Sequence, residues 1–107
     1  VSTKKGNYYR RKTKEFFSRL GYETEYLEIY QTIFKPGQVI HSKRDLFGAD
    51  GISMNGEEII FWNSVVGRKS ISSHKKRFNR HAFPDNPAVK CCIVIWQPYK
   101  KPELMYL

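Results

Sequence analysis

The sequence predicts an α/β fold, a single mixed sheet flanked by helices with its elements in the order αβββαβ. Three observations carry that expectation. Residues 7–20 and 72–81 have the spacing of amphipathic helices, an Asn55-Gly56 pair separates two β-rich runs between 46 and 66, and Val89 to Trp96 form an apolar run that is unbroken from Cys91. A run of that kind after a helix suits a strand covered on both faces. With 107 residues there is enough chain for one core but not two, so the expected layout is one domain over 1–107, its core at 6–97 and tails at 1–5 and 98–107.

Taken in order, a basic tail to Gly6 leads into the first helix, with Asn7 as N-cap, Tyr9, Phe16, Phe17 and Leu20 on the apolar face and Gly21 at the C′ position. Alternation from Tyr22 to Tyr30 predicts a long strand continuing to Phe34. Lys35-Pro36-Gly37-Gln38 places Pro and Gly at the centre of a type II turn, and Val39 and Ile40 give a short return. Asn55-Gly56 predicts a type I′ hairpin, because both residues tolerate positive φ, and counting outward makes Asp50 and Asn63 neighbours on paired strands. The second helix, Ser72 to His81, spaces Ile71, Lys75, Phe78 and Ala82 along one side, with Ser70, Ser72 or Ser73 as cap. Phe83-Pro84-Asp85-Asn86-Pro87 ends it, and the segment from Gln97 reads as a linker or edge.

Charge is the strongest compositional signal. Nineteen Lys and Arg against ten Asp and Glu give a formal net charge of +9, which favours a polyanion partner through phosphate contacts and counterion release. Two basic segments hold much of it. Lys4, Lys5, Arg10, Arg11, Lys12, Lys14 and Arg19 load the N-terminal segment, and Arg68, Lys69, Lys75, Lys76, Arg77 and Arg80 load a second. The longest apolar run is far short of the about 20 residues a membrane span needs, and no signal-peptide pattern is visible, so the expected location is cytoplasmic. Adjacent Cys91 and Cys92 point to opposite faces of a strand and read as small core hydrophobes, with no Cys-x-x-Cys or close His pair to hold zinc.

Asp50 and Asn63 form the candidate chemical site. A strand-mouth carboxylate is a hard ligand for magnesium or manganese, and a neighbouring amide oxygen can take a second position. The alternative is that Asp50 caps the turn before Gly51. Glu15, Arg10 and Arg11 are the helix residues that could reach such a site, against the plainer role of a solvated helix face.

The stretches KKGNYYRRKTKEFFSRLGYE, RDLFGADGI and EEIIFWNSVVG, with the basic second helix, resemble the PD-(D/E)xK nuclease superfamily, and within it the small archaeal Holliday-junction-resolvase-like and Mrr-like endonuclease domains. The resemblance runs from Gly6 to Trp96 and implies a restriction-endonuclease-like fold acting on DNA with Mg2+ or Mn2+. It puts the family's metal-binding Asp on Asp50 and its Glu or Gln on Asn63, while the catalytic Lys falls on Val65. The helix Glu of that family has its nearest counterpart in Glu15, more than a helical turn late. Lys69 is the first substitute for the missing lysine, Lys75 the next, and Arg68 is a candidate phosphate contact.

Three functions follow as expectations. One is a metal-dependent endonuclease on structured or duplex DNA, working as a homodimer because two cuts need two sites. Another is a catalytically inactive protein of the same fold that binds DNA. The third is a double-stranded RNA-binding module, whose αβββα order and basic helix start resemble Ser73-His74-Lys75-Lys76-Arg77.

Overall fold

The computed structural model describes residues 3–107, with side chains from Gly6 onward. Helix α1 covers Thr3–Arg19, strand β1 Glu23–Tyr26, β2 Glu28–Lys35, β3 Gln38–Asp45, β4 Gly51–Met54 and β5 Ile59–Val66. Helix α2 follows at Ile71–Asn79, then β6 at Val89–Trp96 and β7 at Glu103–Tyr106. Five strands form one mixed sheet in the order β1-β4-β5-β6-β7, and β2 pairs only with β3. Every pairing is antiparallel except β5 with β6, which are parallel and joined through α2.

Alternation along the central strands divides the core. Ile60, Trp62, Cys92, Val94 and Trp96 pack with Phe17 of α1 on one face, while Val65, Ile93 and Ile95 pack with Phe78 of α2 on the other. Helices therefore cover opposite faces, and β6 is buried from Cys92 to Trp96 as its apolar run predicts. Both tryptophans are core residues: Trp62 Nε1 donates to Ser53 Oγ (3.0 Å) and Trp96 Nε1 to Thr13 Oγ1 (2.8 Å). The Trp62 ring lies so close over Gly51 that a Cβ there would sit 2.1 Å from it. Cys91 and Cys92 are free and belong to opposite faces.

Helix α1 starts earlier than its Asn7 cap implies, because Lys4 and Lys5 are good helix formers and nothing stops the turn before Gly6. Its end is the expected one. Gly21 (φ 92°) donates to Ser18 O and Tyr22 to Phe17 O, a Schellman closure backed by the Tyr22 ring on Phe17. Leu20, expected on the apolar face, stands exposed at this turn.

The long strand predicted from Tyr22 to Phe34 is two strands, broken at Leu27. Leu27 N–H donates to Asp50 O while its carbonyl accepts Leu46 N–H, so β1 stays in the main sheet and β2 leaves it. The short return is in fact all of β3, paired with β2 over eight rungs around Pro36-Gly37 (Gly37 φ 78°). Neither Asn55 nor Gly56 takes a positive φ, so the turn is not type I′. Asn55 Oδ1 instead accepts both Glu57 and Glu58 N–H (2.8 and 2.9 Å), closing a longer loop with its own side chain. Residues 103–106 of the expected C-terminal tail are the edge strand β7, anchored on β6 and packing Leu104 and Met105 on the two cores.

Candidate nucleic-acid interface

The β4/β5 register sets Gly51 opposite Trp62, so Asp50 meets Asn63 one step outward. Asn63 is fully buried and its amide is committed to backbone: Oδ1 accepts Asp50 N–H (2.8 Å) and Nδ2 donates to Gly48 O (2.9 Å). The expected metal ligand is thus a brace between β5 and the turn before β4. Replacing it by Ala removes both bonds and leaves the Gly48 carbonyl without this partner, so Asn63→Ala should lose about 2 kcal/mol of stability, read as a lower urea midpoint at unchanged slope. An unshifted midpoint would show that the brace contributes nothing.

Asp50 is 5% exposed, and its Oδ2 accepts Ser64 N–H (3.0 Å). Burial pushes its carboxyl up to about 6, against the lowering pull of the Ser64 amide and of Arg10, with Asp45 raising it and Arg77 lowering it. Asp45 Oδ2 accepts from Arg77 Nη2 (2.6 Å), and its buried Oδ1 has no partner among the described residues. Arg77 also lies 3.5 Å from His74 Nδ1, on a ring that burial and Arg77 hold below the ordinary imidazole range.

Beside these carboxylates opens a cleft of about 720 Å3. Arg10 comes to it from α1, Lys43, Arg44 and Asp45 from the end of β3, Leu46, Phe47 and Gly48 from a 3-10 turn, and Arg77, Arg80 and His81 from the end of α2. Phe47 (φ 57°) and Gly48 (φ 70°) turn the chain so tightly that a Cβ on Gly48 would meet Arg77 O at 2.9 Å, which brings the α2 end against the β3 end. Glu28 pairs with Arg10 and with Lys43 (2.7 Å), and Asp45 with Arg77. Among the described residues Arg44 and Arg80 make no ion pair. Five cations against the three carboxylates of Glu28, Asp45 and Asp50 leave the cleft positive.

Of the basic residues singled out by sequence, Arg10 and Arg77 from the candidate contacts, and Arg80 from the second basic segment, are in this cleft. Lys69, Lys75 and Lys76 are exposed and do not line it, nor does exposed Arg11. Arg68 is paired with Glu103 of the edge strand, and Lys12 lies over the Tyr8 and Trp96 rings. The side chains of Lys4 and Lys5 lie outside the described residues. Glu15 is exposed on α1 and does not line the cleft. The set Asp50, Asn63 and Glu15 therefore does not fit a divalent ion: one amide is already bonded on both ends and the second carboxylate is not at the cleft. Among the described residues no group of three or more His, Cys, Asp and Glu side chains converges as a metal site.

Lys43, Arg44, Arg80 and His81 are the cleft residues that the site reading passed over. Arg77, Arg80 and His81 at i, i+3 and i+4 are a legible helix-face signal, whereas Lys43 and Arg44 reach the cleft only through a strand that the sequence indicates weakly. No helix among the described residues is long and apolar enough to cross a membrane. No protein-family model, curated protein or solved structure matches the chain.

Proposed function

We propose that this chain is a DNA-binding domain of restriction-endonuclease-like fold that holds the phosphate backbone in its basic cleft without cutting it. The carrying observation is the cleft itself, where Arg10, Arg44, Arg77 and Arg80 gather around Asp45, with Arg10 and Arg77 also in electrostatic reach of the buried Asp50. Antiparallel β1, β4 and β5 after α1, followed by α2 and a parallel β6, support the fold assignment. Hydrolysis by the PD-(D/E)xK route is disfavoured by Val65, 4% exposed in the α2-side core where the family has its lysine, and by the bonded amide of Asn63. The αβββα order of a double-stranded RNA-binding module stops short of β6, the most deeply buried strand here.

A second reading, metal-dependent cleavage by a homodimer, has one observation in its favour: the unpartnered Asp45 Oδ1 in the electrostatic reach of Asp50. One assay separates the two. Labelled four-way junction, duplex and single-stranded DNA and double-stranded RNA are offered at low salt with Mg2+, Mn2+ or EDTA. Binding should leave the DNA uncut and be insensitive to EDTA. Metal-dependent cuts that vanish in Asp50→Asn would establish the nuclease, and a preference for RNA duplex would overturn the DNA assignment.

A further inference from the structure

The β2–β3 hairpin is an arm that leaves the main sheet between Leu27 and Leu46. Its register puts Tyr30 with Lys43, Thr32 with His41 and Phe34 with Val39, so these six side chains share one face. That face runs straight into the cleft, because Lys43 and Asp45 continue it and line the cleft wall. It is apolar where it is farthest from the protein body: Tyr30 is 77% exposed, Phe34 79% and Val39 53%. Two large rings this open on a strand pair without a covering layer contribute nothing to the core, and they are the least expected residues for a purely solvated surface.

We infer that this face stacks on unpaired bases of a nucleic-acid strand whose phosphates occupy the basic cleft, an inference that rests on the reading of the cleft as a nucleic-acid site. Successive rungs on one face of a strand pair are about 7 Å apart. That is twice the about 3.4 Å separation of stacked bases, so Tyr30, His41 and Phe34 offer rings between which single bases can insert. Aromatic rings on a sheet beside a cationic track are the general means of holding single strands, since every base has a π face and the backbone supplies the charge. A fully paired duplex has no free base to offer, so the arm gives preference for strands with unpaired bases, while the cleft acts on any phosphate backbone.

The test compares a labelled single-stranded oligonucleotide with its paired duplex by fluorescence anisotropy. Tyr30→Ala/Phe34→Ala should weaken the single strand about 10-fold or more and the duplex less than about twofold, with an unchanged circular dichroism spectrum and melting midpoint. In Phe34→Trp, the single exposed indole among buried tryptophans should be quenched by the single strand and not by the duplex. Equal effects on both nucleic acids, or none on either, would overturn the arm while leaving the cleft intact. If the unsubstituted protein binds no nucleic acid, cleft and arm fall together. Self-association in sedimentation that disappears in Tyr30→Ala/Phe34→Ala, with nucleic-acid affinity unchanged, would assign the face to a second copy and overturn the proposal.

Discussion

Asp50→Asn should make the protein more stable at pH 7.5 than its parent, by about 3 kcal/mol, and should change little at pH 4. The sign follows from the shift. Burial raises the folded carboxyl from 3.8 to about 6, so between those values the folded state binds more proton than the unfolded state. The contribution of Asp50 to stability is fully present below pH 3.8 and is lost as pH rises through 6. Above that, the protein carries an ionised carboxylate in a site only 5% exposed, with the Ser64 amide as its one direct hydrogen-bond donor. An Asn at this position keeps an acceptor for Ser64 N–H and carries no charge. Urea midpoints of both proteins at pH 4 and 7.5 measure the difference directly. A variant less stable at pH 7.5 would mean that Arg10 and Arg77 compensate the charge more than burial penalises it. The same variant reports on function: a phosphate in the cleft is repelled by the Asp50 carboxylate, so Asp50→Asn should bind DNA more tightly at neutral pH. Weaker binding, with loss of a Mg2+ dependence that the parent shows, would instead mark Asp50 as a metal ligand.

The elements legible in the sequence were those decided by one local cause. Val89 to Trp96 had to be a central strand because nothing polar interrupts it from Cys91 onward, and Gly21 had to end α1 because it takes a positive φ there without strain. The Asp50–Asn63 pairing was legible too, although not its use: an amide beside a carboxylate reads equally as a ligand or a brace, and the buried carbonyl of Gly48 decides between them. What stayed illegible depends on partners distant in sequence. The alternation from Tyr22 to Phe34 carries no mark at Leu27, since the break is made by hydrogen bonds to Asp50 and Leu46. Only Val39 and Ile40 of β3 read as strand, because the polar residues that follow them to Asp45 serve a two-sided, solvated arm, for which no apolar alternation is required. Missing that arm meant missing Lys43 and Arg44, two of the five cations at the cleft. Pro98 and Pro102 disguised β7 in the same way, as both fall outside the four residues that pair.

Arg44→Glu/Arg80→Glu should weaken duplex DNA binding about 100-fold at low salt, whereas Lys75→Glu/Lys76→Glu, at positions that composition alone favours, should weaken it less than about threefold. The contrast comes from where the charge is free. Arg10 and Lys43 share Glu28, and Arg77 is held by Asp45, so each enters the cleft partly neutralised. Arg44 and Arg80 have no carboxylate partner among the described residues and both line the cleft. A phosphate backbone laid there gains its full attraction from those two, with the bidentate geometry that favours guanidinium over ammonium. Removing two phosphate contacts should also flatten the dependence of log K on log salt by about 2. Lys75 and Lys76 are exposed and do not line the cleft, so their charge acts through solvent that screens it within about 10 Å at ordinary salt. All four side chains are exposed, so neither variant disturbs the core, and a change in melting midpoint would disqualify the comparison. Should the lysine pair prove the more damaging, the backbone runs along the exposed face of α2 and the cleft between α2 and the arm is not its seat.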